Sequence, residues 1–177
     1  YMKTVRGKLK VDCIYRRLDD TFMDPKAFFK GSLIGVPGLF KAWRKGNVGI
    51  LNAPGTGIAD DKAIYSYVDK MIVYYLGEQP KIQQVETLLC SEKIHREHVI
   101  ENISKFVVKP TNGSGGNGIL IGPHASKKNR EEMKKNILKN PRNYIAQPLE
   151  ILSTTPTITD NSIEPRHLDL RPFVLSG

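Results

Sequence analysis

The sequence predicts an α+β fold, and three observations carry that prediction. Short β-branched segments at 11–17, 48–52, 106–110 and 144–149 are interleaved with segments of helical period at 60–76, 91–102 and 126–139, with no regular strand–helix–strand repeat. A loop rich in glycine lies between two strand-like runs, Phe106-Val107-Val108-Lys109 and Ile119-Leu120-Ile121. No run approaches the roughly 18 consecutive apolar residues that a membrane-crossing helix needs.

Taken in order, Val11-Asp12-Cys13-Ile14-Tyr15-Arg16-Arg17 has strand composition and is closed by Leu18-Asp19-Asp20. Asp24-Pro25 has the form of an N-cap followed by a first-turn proline, so a short helix is expected to start there. Val36-Pro37 opens a second helix through Leu39, Phe40 and Trp43, ending at Gly46. After the strand Val48-Gly49-Ile50-Leu51-Asn52 and the turn Pro54-Gly55-Thr56-Gly57, an amphipathic helix is predicted over 60–76. Its apolar side carries Ile64, Tyr67, Val68, Met71, Ile72 and Tyr75, and Gly77 suits its C-cap. A helix over 91–102, the lysine strand, the glycine loop and a charged helix over 126–139 follow, the last with Met133, Ile137 and Leu138 facing inward. Tyr144-Ile145-Ala146-Gln147-Pro148-Leu149 reads as a strand, 157–162 as a turn, and His167 to Leu175 as a final strand. Two portions are expected, 1–77 and 78–177. The chain starts at Tyr1 and stops just after a strand-like run, so it is expected to be a piece of a longer protein.

The formal net charge is +9, which favours an anionic partner such as a nucleotide. The run Lys127-Lys128-Asn129-Arg130-Glu131-Glu132-Met133-Lys134-Lys135 reads as a solvated helix face, because no aromatic side chains interleave to stack bases. The rival reading, a nucleic-acid-binding domain, predicts affinity that falls steeply with salt and ignores the glycine loop. Cys13 and Cys90 lie in apolar surroundings without partner spacing, which points to buried thiols in a reducing, cytoplasmic setting. His95, His98, His124 and His167 are scattered, and no metal site is assigned.

The loop Pro110-Thr111-Asn112-Gly113-Ser114-Gly115-Gly116-Asn117-Gly118 holds the chemistry. Glycines adopt positive φ and admit a ligand close to the backbone, so several N–H groups can face one anion. Lys109, at the strand end beside them, supplies a point charge for phosphate. Gly113-x-Gly115-x-x-Gly118 matches the dinucleotide spacing, but a strand follows it where that motif needs a helix. No Lys-Ser or Lys-Thr follows the last glycine, and neither His-Arg-Asp nor Asp-Phe-Gly occurs, which sets aside Walker and kinase loops. A glycine hairpin without a ligand is the alternative. A second lysine, Lys62, follows Asn52-Ala53-Pro54-Gly55-Thr56-Gly57 and Asp60-Asp61 at a helix start. Aspartates suit that position and a lysine does not, so Lys62 either points at a ligand or snorkels beside Asp61.

Together these segments resemble the ATP-grasp superfamily: Lys62 in an Asn-x-Pro…Asp-Lys segment, Lys109 in Val-Val-Lys-Pro before the glycine loop, the extended 144–149 segment, and Arg171 in His167-Leu168-Asp169-Leu170-Arg171-Pro172-Phe173-Val174. Tyr15-Arg16-Arg17-Leu18-Asp19-Asp20 and Gly35-Val36-Pro37-Gly38 narrow the resemblance to the circularly permuted, bacterial ATP-grasp proteins similar to glutathionylspermidine synthase. That resemblance implies an ATP-dependent carboxylate–amine or carboxylate–thiol ligase working through an acyl phosphate, on a peptide or amino-acid substrate. It implies that Lys62, Lys109, Gly113, Ser114, Gly115, Gly116 and Gly118 hold the phosphates and that Ala146, Gln147 and Leu149 contact the adenine. It implies further that Arg171 stabilises the transferring phosphoryl group, and that the ligands of Mg²⁺ lie beyond Gly177. Arg16, Arg17, Asp19 and Asp20 then belong to a substrate site or to a turn network at the strand end. A non-catalytic nucleotide-binding scaffold is the alternative function.

Overall fold

The computed structural model describes residues 1–113 and 115–172 and divides the chain into two compact units, Tyr1–Lys81 and Ile82–Gly177. The fold is α+β, with short helices and four small sheets among the described residues. No described helix is long and apolar enough to cross a membrane.

In the first unit, β1 (Met2–Thr4) and β2 (Gly7–Leu9) form an antiparallel hairpin. β3 (Cys13–Tyr15) pairs in parallel with β4 (Gly49–Leu51), Ile14 opposite Ile50. Between them lie α1 (Asp20–Met23) and α2 (Leu39–Arg44). A buried carboxylate knits this connection. Asp24 is 1% exposed; its Oδ1 accepts from the Lys26 and Gly38 N–H at 2.8 and 3.0 Å, and its Oδ2 from the Phe40 N–H at 3.0 Å. Burial pushes its pKa up, but the N–H groups of Gly38, Lys26 and Phe40, with the Lys26 charge, outweigh burial and hold it below the ordinary aspartate value. Gly35 is needed beside it, because a Cβ there would stand 2.1 Å from the Phe22 carbonyl oxygen. After β4 come α3 (Lys62–Tyr65) and α4 (Val68–Leu76), the latter closed by Gly77 in the left-handed region.

The second unit has a four-stranded sheet in the order β5-β8-β6-β7, all antiparallel: β5 (Leu88–Leu89), β8 (Tyr144–Pro148), β6 (Phe106–Pro110) and β7 (Leu120–Ile121). One face supplies Leu88, Phe106, Val108, Leu120 and Ala146 to the core. Val99 of α5 (Lys93–Glu101), and Met133 and Ile137 of α6 (Lys127–Lys139), pack against that face. Ser126 caps α6 by accepting from the Asn129 N–H. Cys90 sits in the same core, and burial raises its thiol pKa to about 11 despite the nearby Arg96 charge. β9 (Thr154–Ile158) and β10 (Ile163–His167) close the described chain as a separate hairpin.

Several expectations need correction. The Asp24-Pro25 signal marks a turn rather than a helix, because the Asp24 carboxylate is committed to the amides of Gly38 and Phe40; the helix precedes it, capped by Asp19 through the Thr21 N–H. The helix over 60–76 is broken. Asp61, in extended conformation, caps Ala63 and starts α3 at Lys62, and the Ser66 hydroxyl donates to the Ala63 carbonyl and ends it. Cys13 is exposed, not buried. Leu138 is also exposed, one position past the stripe that Met133 and Ile137 place inward. Strand structure falls on 154–158 and 163–167, around the expected turn, rather than starting at His167. Positions 173–175 of the expected last strand lie outside the described residues.

Candidate functional site

The antiparallel register explains how one polar cluster forms on the sheet face opposite the core. Lys109 of β6 stands opposite Ile145, and Gln147 of β8 opposite Val107, which makes Lys109 and Gln147 diagonal neighbours on one face. The Lys109 ammonium donates to Gln147 Oε1 at 2.7 Å, and the Gln147 amide donates to Thr87 Oγ1 at 2.8 Å. The Thr87 hydroxyl donates in turn to the Val85 carbonyl at 3.1 Å. Leu89, Val107 and Ile145 are buried on the same face. Thr87 carries no motif and lies 60 residues from its partner, so sequence reading misses it.

The chain leaves Lys109 through Pro110 and Thr111, whose N–H is held by the Asn143 carbonyl at 2.9 Å. It then enters the glycine loop, where Gly113, Gly115, Gly116 and Gly118 have φ of +115°, +68°, +78° and +74°. L residues rarely adopt these values, so the loop's shape requires glycine at these positions. Gly115, Gly116, Asn117 and Gly118 form a turn and are all exposed, and the Ile119 N–H is held by the Gly116 carbonyl at 3.4 Å. Ser114 lies outside the described residues.

Ala146 is fully buried and pairs with β5 and β6 on both sides, whereas Leu149 follows the strand's end and is exposed. Arg171 is exposed; its Nε donates to Asp169 Oδ2 at 2.8 Å, and that bond and the aspartate charge raise its pKa.

In the first unit, Lys62 is the first residue of α3 and is half-buried. The Arg16 guanidinium spans the ends of β3 and β4: it donates to the carbonyls of Asn52, Leu18 and Ala53 at 2.5, 2.5 and 3.0 Å and pairs with Asp20. Asp20 Oδ2 accepts from the Gly55 N–H at 2.8 Å. Asn52, at φ +57°, returns a bond from its side-chain amide to the Arg16 carbonyl. Arg17 and Asp19 are exposed on a cleft of about 650 Å³ beside this network. Among the described residues, no group of three His, Cys, Asp or Glu side chains is placed to hold a metal ion.

A strand-end lysine thus stands beside a loop whose described glycines all lie at positive φ. Comparison with known proteins gives the family: the chain belongs to the circularly permuted ATP-grasp type 2 proteins, whose family model matches residues 1–177. An uncharacterized protein of Synechocystis sp. is 50% identical over 175 residues, covering 99% of this chain and 36% of that protein. An uncharacterized protein of Mycobacterium tuberculosis is 47% identical over 176 residues, covering 99% and 32%. A protein of Frankia casuarinae named "Putative glutamate--cysteine ligase 2-2" is 45% identical over 170 residues, covering 96% and 20%. The chain thus spans about a third or less of the length of these relatives.

Proposed function

We propose that this chain is the ATP-binding portion of a ligase that joins a carboxylate to an amine or thiol, with an amino acid or peptide as substrate. Family membership and the ligase name of the Frankia relative support the reaction class. The observation that carries the reading is Lys109, held by Gln147 at the mouth of a loop whose described glycines all lie at positive φ. In the reaction, a substrate carboxylate oxygen attacks the γ-phosphorus and ADP leaves. The amine or thiol then attacks the acyl carbon of the acyl phosphate, loses its proton and expels inorganic phosphate.

Phosphoryl transfer is largely positioning and charge neutralisation. Lys109 and the amides of 113–118 would hold the phosphates, with Lys62 contributing a second ammonium, and the loop would keep water from the acyl phosphate. Pairing commits the Ala146 backbone to the sheet, so the adenine edge would meet the backbone past it, at Leu149, with Gln147 serving mainly to aim Lys109. Arg171 would leave Asp169 to stabilise the transferring group. Members of the family use ATP with Mg²⁺, which supplies charge neutralisation when bound; its ligands would lie elsewhere in a longer chain.

The test is calorimetry with Mg·AMP-PNP on this chain and on the longer polypeptide expected to carry it. Binding to the longer protein, with Lys109→Met abolishing it at unchanged thermal stability, is the expected result. Retained binding in Lys109→Met would make the loop architectural.

A further inference from the structure

We propose that the cleft at the carboxyl ends of β3 and β4 binds a zwitterion, a peptide end or amino acid bearing both a carboxylate and an ammonium, with Arg17 meeting the carboxylate and Asp60 the ammonium. The inference deepens the ligase reading and rests on it for the substrate class. Parallel strands place ligands in the crevice beyond their carboxyl ends, and β3 and β4 are the parallel pair of the first unit. The cleft there, about 650 Å³, is within the ordinary range for small-molecule sites.

Its charges divide into two groups. Arg16 and Asp20 are frame: the guanidinium is taken up by three carbonyls and by Asp20, and Asp20 by the Gly55 N–H. Asp19 is partly frame, since its Oδ1 caps α1 at Thr21. Arg17 and Asp60 line the same cleft, are exposed, and among the described residues have neither a hydrogen bond nor an ion pair from their side chains. A bare anion such as phosphate would have to enter beside Asp19, Asp20 and Asp60, and a bare cation beside Arg17. A ligand carrying both signs meets neither penalty, and a bidentate arginine–carboxylate pair fixes its direction.

Amide NMR titration of the whole 177-residue chain with the dipeptide glycylglycine tests this directly. Shifts confined to 16–21 and 56–60, saturating in the millimolar range, are expected. N-acetyl-glycylglycine and glycylglycine amide should each bind about tenfold more weakly, the loss of one charge-assisted hydrogen bond. Arg17→Gln should erase the preference over the amide, and Asp60→Asn the preference over the acetylated form. Both positions are exposed, so the rest of the spectrum reports whether the fold is kept. Absent shifts, shifts elsewhere, or equal binding of the masked dipeptides would overturn the proposal. Mg·AMP-PNP titrated separately into the longer polypeptide that carries this chain distinguishes the two failures. Nucleotide binding without dipeptide binding removes this site alone, and dipeptide binding without nucleotide binding removes the ligase reading and leaves the cleft.

Discussion

Asp24 is a buried tie within the first unit, and the sequence advertises it for a different reason. The Asp-Pro pair reads as a helix start, yet the carboxylate closes a loop by accepting three backbone N–H groups, two of them 14 and 16 residues away. Its folded-state pKa is lowered, so its stabilisation is complete above the ordinary aspartate value and is lost as pH falls through the lower, folded value. Asp24→Asn should cost about 1–3 kcal/mol at neutral pH and flatten the acid limb of a urea-unfolding series; an unchanged limb would place the acid sensitivity elsewhere. The same scale separates the two thiols. Cys13 should alkylate in the folded chain and Cys90 only after denaturation, counted by mass spectrometry. On the sheet face, Thr87→Val removes the partner of the Gln147 amide and loosens the aim of Lys109. The loss of one neutral hydrogen bond, about 1 kcal/mol, should weaken AMP-PNP binding roughly fivefold with little change in melting temperature. A large melting shift with unchanged affinity would make Thr87 structural.

At the scale of elements, the parts of the chain with strong local signals were legible: the lysine strand, the loop between strands, the 126–139 helix with its serine cap, and Gly77 ending α4. Failures occurred where side chains compete with the backbone or where pairing outweighs composition. Ser66 and Asp61 cut one apolar stripe into two helices. Pro156 and Pro165 disguise a hairpin, because they face each other at a pair that needs no N–H. The site was legible as residue types, and the diagonal Lys109–Gln147 contact only as register. The glycine loop makes its own prediction. Gly115 sits at φ +68° with open space around its Cβ position, so Gly115→Val would act through backbone strain alone, about 1–2 kcal/mol. It should reduce nucleotide affinity while the core sheet keeps its hydrogen-exchange protection. Gly122 is the contrasting case: a Cβ there would stand 2.0 Å from the Ile103 carbonyl oxygen, so Gly122→Ala should destabilise the second unit itself.

Over the whole molecule, two surface properties pull in opposite directions as salt changes. The chain carries +9, and it exposes large apolar side chains, among them Leu33, Tyr74, Tyr75 and Leu76, with the apolar side of α4 containing no buried residue. Exposed apolar surface on this scale promotes association, and net charge opposes it by repulsion that salt screens. Sedimentation should therefore show self-association of the isolated chain increasing between low and physiological salt. Binding to a nucleic acid would behave in the reverse way, since each released counterion lowers affinity as salt rises. A nucleotide held by Lys109 and backbone amides in a formed cradle should depend on salt only weakly, because few ions are displaced. A steep negative salt slope for a DNA or RNA oligomer, unaffected by Lys109→Met, would move the basic face of α6 to the centre of the protein's function. A shallow slope for AMP-PNP that disappears in Lys109→Met leaves the charge in a supporting role, as the solvated face that Met133 and Ile137 turn outward by burying themselves.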